Sequence, residues 1–169
     1  MYFAVVRQFV RTLKNLDAIL EKAAAYAQQR KFDVNNFTSS RLFPDMLPLL
    51  AQVRIACDHA KSTAANLAGK EAPKHEDNET TMEDLRGRIA KCIGFLDTLK
   101  EGDFAQTKPD TVIKLAFPKG KAALAQEYVL GRQLPNFFFH VTTAYALLRA
   151  GGVELGKGDY IGQINLLDQ

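Results

Sequence analysis

The chain of 169 residues has only two cysteines and no apolar stretch of membrane-spanning length. Cys57 and Cys92 each lie inside an apolar helical pattern, without the spacing of a zinc knuckle or the density of a disulfide scaffold, so we expect reduced core residues. No segment approaches the roughly 20 uncharged apolar residues that cross a bilayer. Arg7, Arg11 and Lys14 interrupt the first apolar positions before a signal-peptide core can form. A cytoplasmic protein without membrane association is therefore predicted.

Charge of one sign is not concentrated anywhere in the chain. The 22 Lys and Arg are nearly balanced by 19 Asp and Glu, and they are spread along the sequence. Nucleic acid is not a predicted partner, because binding to it normally needs a concentrated basic face. The sequence also lacks a nucleophile elbow, a phosphate loop, a dinucleotide fingerprint and a Ser-His-Asp spacing. A small-molecule ligand stays open as a partner.

What the chain does contain is four amphipathic helical patterns. Apolar residues recur at three- and four-residue spacing over about 2–30, 46–67, 80–99 and 135–150. Asp45 is the predicted N-cap of the second helix and Gly69 its end, while Thr80 and Glu83 form a predicted capping box for the third. Because 47% of the residues are hydrophobic, the chain can bury one core, and a single domain over 1–169 is predicted.

The segment between the third and fourth helices loses the helical period. Val, Ile and Phe alternate there around PKG at 118–120, so we predict a small β-hairpin with arms near 111–117 and 122–129. The stretch KAALAQEY at 121–128 is equally compatible with a helical turn. The predicted fold class is all-α, a four-helix bundle with this hairpin between helices three and four.

Two of the three histidines lie on helical patterns. On a helical wheel His140 shares an apolar face with Phe137, Ala144 and Leu147 and therefore points inward, whereas His59 lies at the margin of the apolar stripe of the second helix. Two histidines from different helices of a bundle can converge on the interior, where such folds build metal and cofactor sites. A core histidine whose ring nitrogens bond a carbonyl or hydroxyl explains His140 at least as well.

Other polar residues near these histidines have simpler interpretations. His75 lies in a charged loop, and we expect it to be solvated. Asp58 points about 100° away from His59 on the helix, which favours a surface ion pair over a second ligand. Arg132 and Arg149 could hold an anionic group of a substrate, but ordinary surface or helix-end charges are the expectation.

Two stretches carry a resemblance to a known family, RLFPDMLPLLAQVRIACDHAK at 41–61 and LPNFFFHVTTAYALLRAGGVELGKGDYIG at 134–162. Through them essentially the whole chain resembles a family of bacterial and fungal proteins, a domain of unknown function within the DinB/YfiT-like superfamily. The resemblance implies a four-helix bundle of up-down-down-up type. It also implies kinship with metalloenzymes, some of them thiol-dependent transferases.

The resemblance also implies particular metal ligands. Its members hold a divalent ion with a histidine from helix two and an H-x-x-x-H pair from helix four. By position, the resemblance implies His59 as the helix-two ligand and His140 as the first member of the pair, while the second member falls on Ala144. The implied cofactor is one divalent metal ion, zinc or nickel, in a site that lacks one histidine.

Three functions follow from these observations. The first is a metal-dependent hydrolase or thiol transferase, in which the ion lowers the pKa of water or a thiol. The second is a non-catalytic module that binds a small ligand in the same cavity. The third is a dimeric interaction protein, whose homodimer face would include Tyr2, Phe3 and Val6 near the N-terminus.

Overall fold

Helices make up most of the molecule, and a computed structural model describes residues 1–164 and 166–167. The long helices are α1 (Tyr2–Arg30), α2 (Leu49–Ala68), α3 (Met82–Thr98) and α5 (Leu134–Ala150). The shorter elements are 3-10 helices at Val34–Phe37 and Glu101–Phe104, strands β1 (Val112–Lys114) and β2 (Ala122–Leu124), α4 (Ala125–Glu127), a π-helix (Tyr128–Gln133) and α6 (Lys157–Ile161). The prediction of a mostly helical chain with one small antiparallel sheet is confirmed. The up-down-down-up order of the bundle stays a prediction.

The four long helices contribute to one apolar core. Helix α2 contacts the other three, most extensively α5 and then α3. The apolar stripe of α1 is buried along its length, as its three- and four-residue spacing predicts. Tyr2 and Val6 belong to this core at 5% and 0% exposure, and Phe3 packs partly against it. Tyr2 and Val6 are therefore not exposed for a dimer face, whereas Phe3 is partly exposed, and the homodimer stays a prediction.

Helix α2 begins later than its apolar pattern predicts. Its N-cap is Pro48, in an extended conformation, and the helix starts at Leu49 and not near Met46. Asp45 is therefore not the cap, because the Pro48 conformation separates it from the first turn. The predicted end is confirmed: Gly69 adopts a left-handed φ of 62°, and its N–H bonds the carbonyls of the last turn.

The capping box of α3 is one residue further along than predicted. The hydroxyl of Thr81 accepts a hydrogen bond from the N–H of Asp84 at 3.1 Å, and the Asp84 carboxylate accepts one from the N–H of Thr81 at 2.9 Å. The Thr80–Glu83 pairing is wrong because this register buries Met82, whose N–H also donates to the side chain of Asn35 at 2.8 Å.

The hairpin is present but shorter than predicted. Val112 pairs with Leu124 and Ile113 with Ala123, and the chain is helical from Ala125 onward. The second arm therefore ends well before 129, and the helical alternative is confirmed for the rest of that stretch. The helix then runs through the π-helical segment into α5. Pro135 lies in the first turn of α5, where a residue without an N–H ends the wider hydrogen-bonding pattern.

Both cysteines are reduced core residues, as predicted from the sequence. Cys57 and Cys92 are both buried free thiols, and the Cys92 Sγ donates to the carbonyl of Cys57 at 3.4 Å. The hydrogen bond with the Cys92 thiol, and after it burial, raise the pKa of Cys57. Over residues 1–164 and 166–167, no helix has the length and apolar character needed to cross a membrane.

Candidate functional site

His140 points into the molecule from α5, as its apolar helix face predicts. Its side chain is nearly buried, and Nδ1 lies 2.7 Å from Oε1 of Gln52 on α2. The Gln52 amide is oriented independently, because its Nε2 donates to the carbonyl of Leu47 at 2.9 Å. Oε1 can only accept, so Nδ1 carries the proton and Nε2 of the neutral ring keeps its lone pair.

His59, on α2, is held by a glutamine of the π-helix in the same way. Its Nδ1 lies 2.6 Å from Oε1 of Gln133, a buried residue at the end of the π-helix. The proton is again on Nδ1, which leaves Nε2 as the free nitrogen. Each histidine of the pair therefore has one glutamine that fixes both its tautomer and its ring orientation.

The structure brings these two rings together, which is what the helical-wheel argument predicts. The ring centroids of His59 and His140 are 5.9 Å apart, and the ring planes differ by 18°. Burial, with a smaller effect from nearby His59, lowers the pKa of His140 to about 4. His140 is therefore neutral at physiological pH, and its Nε2 is available as an acceptor or a ligand.

The donor chemistry of the pair fits part of a metal site. Two imidazoles that share a tetrahedral zinc ion at Zn–N distances of about 2.0–2.1 Å have ring centres roughly 5–5.6 Å apart, slightly closer than the 5.9 Å of this pair. Among residues 1–164 and 166–167, no group of three His, Cys, Asp or Glu is close enough to hold an ion. Ala144, which is fully buried one turn after His140, offers no donor. The chain supplies two ligands where catalytic zinc generally has three from the protein.

A pocket opens beside His59. It has a volume of about 190 Å³ and is lined by one face of α2, residues 115–117 directly after β1, and the π-helix. Its polar lining residues include Asp58, His59, Tyr128 and Arg132, and Phe117 forms part of its rim. Arg132 is therefore a pocket residue and not the isolated surface charge that the sequence favours.

Asp58 belongs to a polar cluster instead of an exposed ion pair. Its carboxylate lies 2.8 Å from Nη2 of Arg88 and 2.9 Å from Nζ of Lys61. The Arg88 side chain is 1% exposed and also bonds Glu79 at 2.8 Å and Asp77 at 3.3 Å. We call these five residues the Arg88 cluster. Asp58 also lines the pocket beside His59, so the Arg88 cluster and the histidine pair lie on neighbouring faces of α2.

The sequence identifies the two histidines but not the glutamines that hold them. Gln52 lies seven residues before His59, two turns along the same face of α2, so helical spacing offers a signal for it. Gln133 has no such signal, because the direction of its side chain depends on a π-helix that no sequence pattern predicts.

The third histidine, His75, is half-buried in its charged loop, and burial lowers its pKa.

This arrangement defines the class of protein. A mostly helical chain with a histidine from α2 beside one from α5 is DinB-like, and the comparisons with known proteins agree. The chain is similar to a crystal structure of a DinB family member from Shewanella denitrificans, with 43% identity and a TM-score of 0.91 over 97% of this chain and 93% of that one. The family model for DUF1993, a domain of unknown function, matches residues 1–161, and the chain belongs to this family. No curated protein matches it.

Proposed function

We propose that this protein is a metal-dependent enzyme in which His59 and His140 hold one divalent transition-metal ion, zinc or nickel, through their Nε2 atoms. The observation that carries the proposal is the pair of Nδ1–H to glutamine bonds, at 2.6 and 2.7 Å. Metal-ligating histidines almost always donate the other ring N–H in this way. A histidine kept only for packing has no need of a second fixed histidine beside it.

The chain's own residues prepare the two nitrogens for this role. Gln52 and Gln133 fix the tautomers, and burial keeps the His140 ring neutral. When bound, the ion would supply Lewis-acid activation of a water or a thiol, the chemistry of a hydrolase or a thiol transferase. Because the protein gives two ligands, the remaining positions are left for water and for donor atoms of the substrate. The pocket beside His59 is where a substrate would approach.

The metal content of purified protein tests the proposal directly. The untagged protein and its His59→Ala, His140→Ala and His75→Ala variants are dialysed and analysed for bound elements. His75 is the matched control, because it is a histidine on a loop away from the pair. Near-stoichiometric zinc or nickel in the native protein and in His75→Ala, lost from the other two variants, supports the proposal. Equal metal in all four proteins, or none after incubation with zinc, nickel or manganese, contradicts it.

A non-catalytic ligand-binding module is the second candidate, and Ala144 favours it. A buried alanine at the position of the third ligand is what a site that has lost its metal and kept its cavity would contain. This candidate requires a ligand-dependent rise in melting temperature in metal-free protein. A metabolite screen that leaves the melting temperature unchanged argues against it.

A homodimer and a cytoplasmic setting complete the proposal. Two buried reduced thiols are typical of proteins kept in a reducing compartment. The dimer would have to use a face other than Tyr2 and Val6, which are in the core. Sedimentation at micromolar concentration tests it, and a strictly monomeric profile removes it.

A further inference from the structure

The pocket beside His59 contains a cation without a carboxylate partner. Arg132 is partly exposed, and among residues 1–164 and 166–167 its guanidinium donates one hydrogen bond, from Nη2 to the carbonyl of Phe117 at 2.7 Å. No carboxylate within residues 1–164 and 166–167 forms an ion pair with it. Since a guanidinium has five N–H donors, most of its hydrogen-bonding capacity is left for a ligand.

The other charged residue of the pocket does not neutralise Arg132. Asp58 lines the same pocket, but its carboxylate is already bound to Arg88 and Lys61 at 2.8 and 2.9 Å. The bond to Phe117 also holds the guanidinium in place, so little side-chain entropy is lost when a ligand binds it. A fixed cation with free donors is the arrangement that recognises an anionic group.

A tyrosine hydroxyl provides a second polar contact. Tyr128 is almost fully buried at the pocket wall, and its Oη accepts a hydrogen bond from Nδ2 of Asn66 at 2.8 Å. Because the oxygen is the acceptor there, its proton can be donated to the nearby Thr63 hydroxyl or to a ligand. Burial raises the pKa of Tyr128, so the hydroxyl is protonated at neutral pH.

The π-helix is what places these groups around one pocket. Tyr128, Arg132 and Gln133 are separated by four and five positions and all line it. In an α-helix the fifth residue on would point about 140° away from the first. The wider i to i+5 pattern of a π-helix returns it to nearly the same side, and π-helical turns occur frequently at functional sites. One segment therefore holds His59 through Gln133 and presents Arg132 beside it.

We propose that this pocket binds a small molecule carrying one carboxylate, with the carboxylate on Arg132 and the rest of the molecule between Phe117 and His59. A single planar guanidinium matches the two oxygens of a carboxylate, whereas a phosphate dianion would need more positive charge than one arginine beside Asp58 supplies. Ile55 and Leu115 add apolar walls for an uncharged body. That this ligand is the substrate rests on the proposed function, but the binding itself does not need the metal.

The binding experiment uses acetate, benzoate and phenylacetate as probes, with benzamide as the neutral analogue of benzoate and inorganic phosphate as the competing anion. Each is titrated into the ¹⁵N-labelled protein while the backbone amide signals of 128–133 are followed. At least one carboxylate should shift these signals saturably, and binding should weaken about tenfold or more with benzamide or in Arg132→Gln. The matched control Arg149→Gln removes the same charge from the end of α5, outside the pocket, and should bind as the native protein does.

Two further variants distinguish a folding defect or a missing metal from the loss of the Arg132 contact. Arg132→Lys keeps the charge without the planar fork and should bind with intermediate affinity, which also guards against a folding defect in Arg132→Gln. In His140→Ala with chelator, carboxylate binding should persist, which would support this pocket even if the metal proposal failed. Binding that needs the metal and ignores Arg132 would overturn the inference and leave the proposed function standing. Tighter binding of phosphate, or no saturable binding by any carboxylate, would also overturn it.

Discussion

Helix α2 contributes to two polar clusters on neighbouring faces, one around the buried Arg88 and one formed by the histidine pair. The two clusters differ in how many of their polar atoms have partners. In the Arg88 cluster, the guanidinium contacts three carboxylates, those of Asp58, Asp77 and Glu79. In the histidine pair, each ring has a single partner, on Nδ1, among the described residues. The first cluster satisfies its charges within the chain, whereas the second keeps two nitrogens free.

The difference separates a structural cluster from a site. A buried charge without partners is strongly destabilising, so a complete set of counter-charges is what stability alone requires. The His140 ring is neutral, and an uncharged group can remain incompletely bonded at a much smaller cost. Free nitrogens on fixed rings, next to a pocket, are useful only to something that binds there. Each prediction below tests one side of this contrast.

Removal of Arg88 should have the largest effect. Arg88→Met removes the partner that Glu79, 8% exposed, shares with Asp58, but Asp58 keeps Lys61 and Glu79 keeps Arg54 at 3.6 Å. We therefore expect the free energy of unfolding to fall by about 3 kcal/mol, the lower end of the range for a broken buried ion pair. Denaturant unfolding measures it. Arg86→Met is the matched control, because the Arg86 side chain is 29% exposed in its pair with Asp17 and should cost far less. Equal losses in the two variants would remove the distinction between the Arg88 cluster and a surface ion pair.

Protonation of His140 should destabilise the metal-free protein. Its folded-state pKa, about 4, lies below the ordinary value of 6.5, so folding favours the neutral ring. The associated stability is fully present above pH 6.5 and is lost as the pH falls from 6.5 to about 4, a change on the order of 3 kcal/mol. Unfolding measured across this range with chelator present should show a smaller slope in His140→Gln. An unchanged slope would mean that other groups cause the acid sensitivity.

The glutamine that orients His140 should matter for metal affinity more than for folding. Gln52→Leu keeps the volume of the side chain similar but removes the acceptor of the Nδ1–H, and loss of such a partner typically lowers metal affinity 10–100-fold. Zinc titration against a competing chelator measures this. Gln28→Leu, on the exposed side of α1, is the control and should bind as the native protein does. If both variants bind zinc equally, Gln52 serves packing alone.

The helices and the histidines were predictable for the same reason. Burial imposes a 3.6-residue period on the sequence, and His140 occupies an apolar position of that period, so its inward direction could be read directly. Ala144 could be recognised as the missing ligand only through the family resemblance. The pairing of Asp58 with Arg88 could not be predicted, since it depends on how α2 and α3 cross.

The pocket was beyond the sequence for a different physical reason. Arg132 and Gln133 share a wall with Tyr128 because all three lie in the π-helix, which ends where α5 begins at Leu134. A proline in a first helical turn is compatible with an ordinary α-helix start, so the residue types did not reveal the wider turn.

The N-cap of α3 was ambiguous in the sequence, because Thr80 and Thr81 each have an acidic residue three positions later.

The smallest predicted effect concerns the N-cap of α3, for which Thr80 and Thr81 are the two candidates. This cap follows the loop that contains Asp77 and Glu79 of the Arg88 cluster. The Thr81 hydroxyl accepts from the N–H of Asp84 at 3.1 Å, so Thr81→Ala should cost about 1 kcal/mol of unfolding free energy. Thr80→Ala is the matched control. Within the described residues the Thr80 hydroxyl contacts the Asp84 carboxylate alone, at 3.4 Å, so this variant should cost under about 0.5 kcal/mol. Denaturant unfolding of both variants decides between the two registers. A larger loss in Thr80→Ala would support the Thr80–Glu83 box. A larger loss in Thr81→Ala, still smaller than that of Arg88→Met, would mean that Arg88 stabilises this loop more than the helix cap does.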